Sequence, residues 1–255
     1  MFSDLSLSTT ANGLGFNEVI LKYLSIKQVL SSHTISSLRE LLSDEERYRV
    51  TTLRSESRRD SFIVSRAALR LMLSSLMKET NPEAISFSFN ANGKPALNHV
   101  SSLLQFNLSH SHDYIVIAIS RNLPIGVDIE LMKARLTMRK IAENYFHRCE
   151  QKAIDYALKA EGNSAALRLF YKIWTLKEAF IKADGKGMAI PGDCFYFNNI
   201  CQFDPLIAFD GYASDEPQNW HFEHHIIDDL YSIALALDTS HSKGKLIVSK
   251  ERFTF

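Results

Sequence analysis

Two acidic residues in a short apolar run are the first candidate for chemistry. The run is GVDIE at residues 126–130, and it holds Asp128 and Glu130. In a β-strand alternate residues share a face, so these carboxylates would lie about 6–7 Å apart at roughly 3.3 Å of rise per residue. Such carboxylates repel each other unless a cation lies between them, and Mg²⁺ suits this role when phosphates complete its shell. The alternative is that both acids are solvated on an exposed strand face. For this motif taken alone, the alternative is favoured over a metal site.

A second candidate is a stripe of residues spaced four apart in WTLKEAFIK, residues 174–182. In a helix, Trp174, Glu178 and Lys182 would lie on one face. Glu178 could serve as a third metal ligand or as a base, and Lys182 could neutralise charge on a phosphate. The alternative is an ordinary surface Glu–Lys pair beside a core tryptophan, and this alternative is again favoured for the motif alone.

Basic and polar residues upstream could bind an anion. Lys94 lies in GKP at 93–95, where glycine allows close backbone approach, although a hairpin turn explains the motif equally well. Ser109 and His110 lie in NLSH at 107–110, which we predict to run from a strand into a polar loop. Arginines could hold phosphates bidentately, although some will pair with nearby glutamates. Seven arginines crowd one stretch: Arg47, Arg49, Arg54, Arg58, Arg59, Arg66 and Arg70.

The elements that must position these residues alternate between helical and strand patterns. Helical patterns cover residues 46–77, 136–145, 151–160 and 167–183. Strand patterns cover residues 18–26, 114–119, 125–131, 193–209 and 220–238. Asn122-Leu123-Pro124 is a turn and a plausible domain boundary. Two halves of helices and strands predict an α+β fold.

The composition narrows the class of protein. The chain has 255 residues, and 29 Lys and Arg balance 29 Asp and Glu. A neutral chain lacks the overall positive field that favours nucleic acid or membrane partners. Three cysteines without paired metal spacing argue against a disulfide framework and suit a reducing compartment. We expect a soluble, cytoplasmic protein, because the N-terminus does not resemble a secretory signal and no apolar run reaches membrane-spanning length.

The order of these motifs resembles a known family. GVDIE at 126–130 is followed about fifty residues later by WTLKEAFIK at 174–182 and GKG at 185–187, with GKP and NLSH upstream. This combination resembles the 4′-phosphopantetheinyl transferases, of the larger surfactin-synthetase-activating type. The resemblance covers roughly residues 18–238.

The resemblance implies a fold and a domain organisation. The family fold is a pseudo-duplication of two α+β halves with the active site between them, and a chain of this length would be a monomer. The implied division is a loose leader at 1–16, an N-terminal half at 17–123, a C-terminal half with the metal site at 124–240, and a tail at 241–255.

The resemblance also implies an activity and its site residues. The family transfers 4′-phosphopantetheine from coenzyme A to a serine of an apo acyl or peptidyl carrier protein, with Mg²⁺, and releases adenosine 3′,5′-bisphosphate. Asp128, Glu130 and Glu178 would hold the metal, and Lys182 would contact the phosphates. Four more residues would grip the pyrophosphate and the 3′-phosphate: Arg47, Lys94, Ser109 and His110.

The base that deprotonates the carrier serine is open between two residues. Glu178 is the first choice and Glu150, in the segment FHRCE at 146–150, is the second. Two other functions also stay open. One is a Mg²⁺-dependent phosphohydrolase that acts on a nucleotide, and the other is a non-catalytic protein that binds coenzyme A or a carrier.

Overall fold

The fold divides into two compact units. The computed structural model describes residues 14–77, 80–98, 103–200, 205–211, 216–242 and 244–255. One unit comprises Met1–Asn122 together with Lys243–Phe255, and the other comprises Leu123–Ser242. Most of the predicted leader lies outside the described residues. Among the described helices, none combines the length and the apolar character needed to cross a membrane.

In the described part of the first unit, four α-helices precede most of the sheet. They are α1 (Ile26–Ser32), α2 (Ile35–Glu40), α3 (Asp44–Thr52) and α4 (Glu56–Leu76). Side chains cap the first three, and Ser43 with Glu46 forms a reciprocal capping box at α3. The single helical stretch predicted over 46–77 is therefore divided at residues 53–55. The helices α1 and α2 were not predicted, because residues 26–40 are rich in serine and lack a long apolar repeat.

Strands of the first unit share a hydrophobic core with α4. They are β1 (Glu18–Ser25), β2 (Phe87–Phe89), β3 (Pro95–Leu97), β4 (Leu104–Ser111) and β5 (Tyr114–Arg121). A 3₁₀ turn spans Pro82–Ala84. Apolar residues of α4, including Ile63, Leu69 and Leu73, share one core with Ile115 and Ile117 of β5. This burial is the main stabilising term for the unit.

The second unit contains the remaining helices and most of the remaining strands. They are β6 (Ile125–Leu131), α5 (Met138–Tyr145), α6 (Arg148–Ala160), α7 (Asn163–Asp184), β7 (Phe195–Asn198), β8 (Leu206–Phe209), β9 (Trp220–Ile227) and β10 (Tyr231–Asp238). The short 3₁₀ turns span Gly187–Ala189 and Pro217–Asn219. The sheet order is β6-β10-β9, all antiparallel, and β7 pairs with β8. The long helix α7 packs on β6 and β10, and its aromatic Phe180 lies in the core with Phe195 and Trp220.

The last strand returns to the first unit. β11 (Ile247–Arg252) pairs in parallel with β1 and completes a sheet of order β11-β1-β5-β4. Just beyond it, Phe253 is buried in the core of the first unit. Residues 241–255, predicted to be a tail, are therefore for the most part an element of this unit. The pairing joins residues more than 220 positions apart, which no local pattern can indicate.

Candidate active site

A glycine brings the first acidic motif against the long helix. A Cβ atom added to Gly126 would lie 2.0 Å from the carbonyl oxygen of Ala179 and 2.4 Å from the backbone nitrogen of Ala183. Only glycine therefore allows β6 to approach α7 this closely. Because alternate residues of a strand share a face, Asp128 and Glu130 lie on the same side of β6 as Gly126.

Lys182 of α7 neutralises the first of these acids. Asp128 is 5% exposed, and its Oδ1 accepts a hydrogen bond of 2.7 Å from Lys182 Nζ. The same ammonium donates to the carbonyl oxygen of Val127 at 3.2 Å. Lys182 was predicted to contact phosphates, and in this structure it forms an ion pair with one of the predicted metal ligands.

Glu178 lies four residues before Lys182 on the same helix and is half-buried. Burial raises the pKa of its carboxyl, and the negative charges of Asp128 and Glu130 raise this pKa further. Tyr145, the last residue of α5, donates a hydrogen bond of 3.3 Å to Glu178 Oε1. The pKa of Tyr145 is in turn held well above its usual range by burial and by the Glu178 carboxylate. The structure therefore brings the three predicted acids close enough to interact.

The chemistry of this donor set fits Mg²⁺. Asp128, Glu130 and Glu178 supply only carboxylate oxygens, which are the ligands that hard divalent cations prefer. Their mutual repulsion, which contributes to the raised pKa of Glu178, is a cost that a bound cation would remove. Among the described residues, no three acidic, histidine or cysteine side chains converge closely enough to hold an ion as they stand. The ligand types therefore agree with the prediction, and their convergence is not present in this arrangement.

Glu150, the second candidate base, forms a buried ion pair. Its side chain is 1% exposed, and its Oε2 lies 2.9 Å from Nζ of the fully buried Lys177. Oε2 also accepts from the backbone N–H of His147, and Oε1 accepts from the backbone N–H of Phe197. Burial raises the pKa of Glu150, and the charge of Lys177 opposes this rise. Both carboxylate oxygens of Glu150 are therefore engaged within the protein.

Lys177 is a structural residue that the sequence analysis missed. Its Nζ donates to the carbonyl oxygens of Gly192 and Phe195 at 2.7 and 2.6 Å, in addition to Glu150. An ammonium has three N–H donors, and here all three have acceptors. The Nζ also lies 4.1 Å from the centroid of the Phe195 ring. The motif WTLKEAFIK holds a local indication that Lys177 is buried, because Lys177 is three residues after Trp174 and so lies near the same helix face. It does not indicate the partners of Lys177.

Two predicted anion contacts lie in helical and turn segments of the first unit. Arg47 of α3 donates to the carbonyl oxygens of Arg39 and Glu40 and pairs with Asp44 at 2.9 Å. Its guanidinium therefore ties α3 to the end of α2. Lys94 lies in the turn between β2 and β3, where its backbone N–H donates to Asn90 Oδ1. The hairpin explanation of GKP is thus confirmed for the backbone.

Ser109 and His110 lie within strand β4, so the predicted polar loop is wrong. His110 pairs with Ile115 of β5, and the turn follows at residue 112. Ser109 is buried and His110 is exposed, as expected for neighbours on opposite faces of a strand. The structure therefore does not bring these two side chains to one face of the sheet.

Two family profiles match the chain in succession. The profile of the 4′-phosphopantetheinyl transferase superfamily matches residues 124–236, within the second unit. The profile described as 4′-phosphopantetheinyl transferase, N-terminal, matches residues 30–122, within the first unit. The first match contains both acidic motifs.

Individual proteins named as 4′-phosphopantetheinyl transferases are similar to parts of the chain. The 4′-phosphopantetheinyl transferase gsp of Aneurinibacillus migulanus is 40% identical over 116 residues, which are 46% of this chain and 45% of that protein. The transferase ffp of Bacillus subtilis is 33% identical over 165 residues, 60% of this chain and 70% of ffp. The transferase Sfp of Bacillus subtilis is 35% identical over 111 residues, 44% of this chain and 46% of Sfp.

In the alignments with gsp and Sfp the chain covers less than half of the relative's length, whereas it covers 70% of ffp. The two profiles, by contrast, together leave only residue 123 unmatched between residues 30 and 236. They confirm both the predicted resemblance and the mixed α+β, two-domain fold class. The chain belongs to the 4′-phosphopantetheinyl transferase family, in its two-domain, Sfp-like type.

Proposed function

We propose that this protein transfers 4′-phosphopantetheine from coenzyme A to a serine of an apo acyl or peptidyl carrier protein. One observation carries the proposal: Asp128, Glu130 and Glu178 form an interacting acidic cluster with Lys182, inside the segment that matches the transferase superfamily. The relatives named as 4′-phosphopantetheinyl transferases support the same activity.

The proposed site would hold Mg²⁺ through Asp128, Glu130 and Glu178. Bound there, the ion would supply the positive charge that neutralises the pyrophosphate of coenzyme A. Lys182 lies beside Asp128 and would share its charge with the phosphates. Anionic substrate and acidic side chains would then be balanced within one site.

In the transfer step, the serine hydroxyl of the carrier attacks the phosphorus next to pantetheine. A new serine oxygen–phosphorus bond forms, and the bond to the leaving adenosine 3′,5′-bisphosphate breaks. The proton of the serine passes to a carboxylate of the enzyme. Glu178 is the better acceptor, because burial and the neighbouring acids raise the pKa of its carboxyl and its side chain is only half-buried. Glu150 is buried with both oxygens engaged, which argues against its role as the base.

The anion contacts of the first unit have unequal support. Lys94 and His110 are each accessible, and we retain them as contacts to the phosphates of coenzyme A. Ser109 is buried, and Arg47 directs its guanidinium at neighbouring carbonyl groups and Asp44. These two are therefore weaker candidates.

Mass spectrometry of carrier proteins tests the proposed activity. An apo acyl carrier and an apo peptidyl carrier are each incubated with the protein, coenzyme A and Mg²⁺, with and without a chelator. We expect a gain of one phosphopantetheine on at least one carrier, which the chelator abolishes. Release of the bisphosphate in the absence of any carrier would instead indicate a phosphohydrolase. Binding of coenzyme A without transfer to either carrier would indicate a non-catalytic binding protein.

A further inference from the structure

Tyr145 is the last residue of α5, and its hydroxyl reaches the acidic cluster. It donates to Glu178 Oε1 at 3.3 Å. We propose that Tyr145 is a positioning residue, whose phenol holds the Glu178 carboxylate beside Asp128 and Glu130. The inference rests on the proposed function, because that function makes Glu178 a metal ligand and a proton acceptor.

The ring of Tyr145 is held in place from two sides. Its centroid lies 5.4 Å from that of Trp174, one turn of α7 before Glu178. On another side it meets Gly192, where an added Cβ atom would lie 2.7 and 2.8 Å from two atoms of the ring. A side chain at residue 192 would therefore displace the ring, and with it the hydroxyl.

The packing around the Tyr145 ring is linked to the buried ion pair of Lys177 and Glu150. Lys177 Nζ donates to the carbonyl oxygen of Gly192, the residue that contacts the ring of Tyr145. Lys177 also directly precedes Glu178 on α7. Two successive residues of α7 therefore act on the same group. Glu178 accepts the hydrogen bond from Tyr145, and Lys177 holds the backbone of Gly192, which packs against the Tyr145 ring.

A fixed donor matters because Glu178 is repelled by its neighbours. The charges of Asp128 and Glu130 act against its charged form, while the hydrogen bond from Tyr145 acts in favour of that form. A glutamate has three rotatable side-chain bonds, so without a donor the carboxylate could turn away from the other acids. Groups that orient a metal ligand from the second layer affect metal affinity or activity by about 10- to 100-fold when they are removed.

The variant Tyr145→Phe tests this role, because it removes the hydroxyl and keeps the ring that packs on Trp174 and Gly192. Tyr156→Phe is the matched control, since Tyr156 lies exposed on α6. The full-length proteins are titrated with Mn²⁺ in the absence of substrate, and free Mn²⁺ is measured by electron paramagnetic resonance. We expect Tyr145→Phe to bind Mn²⁺ about 10-fold more weakly and Tyr156→Phe to bind it as the wild type does.

Steady-state transfer provides the second readout. We expect kcat of Tyr145→Phe to fall about 10-fold while KM for coenzyme A stays near the wild-type value. Wild-type Mn²⁺ affinity in Tyr145→Phe, with the urea midpoint also unchanged, would overturn the positioning role even if the wild type transfers phosphopantetheine. A wild type that binds Mn²⁺ more tightly than Tyr145→Phe but modifies no carrier would support the positioning role and overturn only the proposed function.

Discussion

At the residue scale, two glutamates of the second unit show how surroundings decide a role. Glu150 is buried and Glu178 is half-buried, and burial raises the pKa of each. The charge next to Glu150 is the ammonium of Lys177, whereas the charges next to Glu178 include two other acids. The first arrangement is a closed structural pair, and the second is an unstable grouping that a substrate or cation could stabilise.

The buried pair predicts a large loss of stability when its cation is removed. Lys177→Met leaves Glu150 without its countercharge, so the free energy of unfolding should fall by about 3–5 kcal/mol. Both tryptophans, Trp174 and Trp220, lie in the second unit, so tryptophan fluorescence during urea unfolding reports on that unit. The exposed Lys152 of α6 offers Lys152→Met as the control.

A double variant separates the lost charge balance from lost packing. Glu150→Gln/Lys177→Met removes both charges and keeps an acceptor for the N–H of Phe197, so it should recover much of the lost stability. Equal urea midpoints for Lys177→Met and Lys152→Met would contradict the structural role of the pair.

The site residues differ in how far the sequence could predict them. The shared face of Asp128 and Glu130 follows from the strand period, whereas the grouping of Glu178 with them was implied by the family resemblance. The role of Lys177 does not follow, because its partners Gly192 and Glu150 come from other segments. Sequence alone shows that a residue is charged, and only the fold shows whether it is buried.

At the scale of elements, a chain of hydrogen-bonded polar side chains fixes α7 on the sheet, and two of them, Thr175 and Ser232, are fully buried. Thr175 of α7 donates to the carbonyl oxygen of Tyr171, and its Oγ1 lies 3.0 Å from Ser232 Oγ on β10. Ser232 Oγ lies 2.9 Å from His224 Nε2 on β9. Ser232 is also the register partner of Glu130, so this chain lies beside the acidic motif. Because the Thr175 hydroxyl donates its proton to Tyr171, the Ser232 hydroxyl donates to Thr175. Ser232 therefore accepts a hydrogen bond from His224 Nε2.

This chain predicts that acid weakens the second unit. Burial lowers the pKa of His224 to about 3, so in the folded state it stays neutral where an unfolded histidine becomes charged. The unfolded state then binds more protons below about pH 6.5, and stability falls as the pH drops from there towards 3. His224→Gln should reduce the stability lost between pH 7 and pH 5 by about 1–2 kcal/mol.

Urea unfolding followed by tryptophan fluorescence at the two pH values measures this difference. His241→Gln is the control, since His241 is exposed. The same loss of stability on acidification in His224→Gln and in the wild type would show that His224 is not the group responsible.

Element types were easier to predict than their limits. The long apolar pattern of α7 and the buried runs of β5 and β6 are strong local signals, and the structure has these elements. The polar residues around Ser109 and His110 predict a loop, yet backbone pairing with β5 continues through both residues. Pairing with a neighbouring strand outweighed side-chain polarity there.

At the scale of the whole chain, its end stabilises its beginning. β11 pairs with β1, Lys22 of β1 pairs with Glu251 of β11, and Phe253 lies in the core of the first unit. A strand added in parallel from so far along the chain depends on the completed fold. This explains why the sequence patterns indicated two halves and a tail but could not attach the tail.

The buried end predicts a local effect of shortening Phe253. Phe253→Ala should destabilise the first unit by about 3–5 kcal/mol, because it empties a core position next to β1. Hydrogen exchange of the β1 and β5 peptides, read by mass spectrometry, should become faster. Phe89→Ala, at an exposed position of the same unit, should leave exchange unchanged. Equal protection of β1 in both variants would show that the end of the chain adds little.

The proposed site depends most on Glu178, whose carboxyl lies close enough to Asp128 and Glu130 of the GVDIE motif for their charges to raise its pKa. The most direct measurement is the initial rate of holo-carrier formation by Glu178→Gln at saturating coenzyme A and Mg²⁺. Glu143→Gln is the control, because Glu143 is an exposed acid on α5. We predict a rate at least about 100-fold below the wild type for Glu178→Gln, with the urea midpoint retained, and an unchanged rate for Glu143→Gln. A wild-type rate in Glu178→Gln would contradict the proposed site.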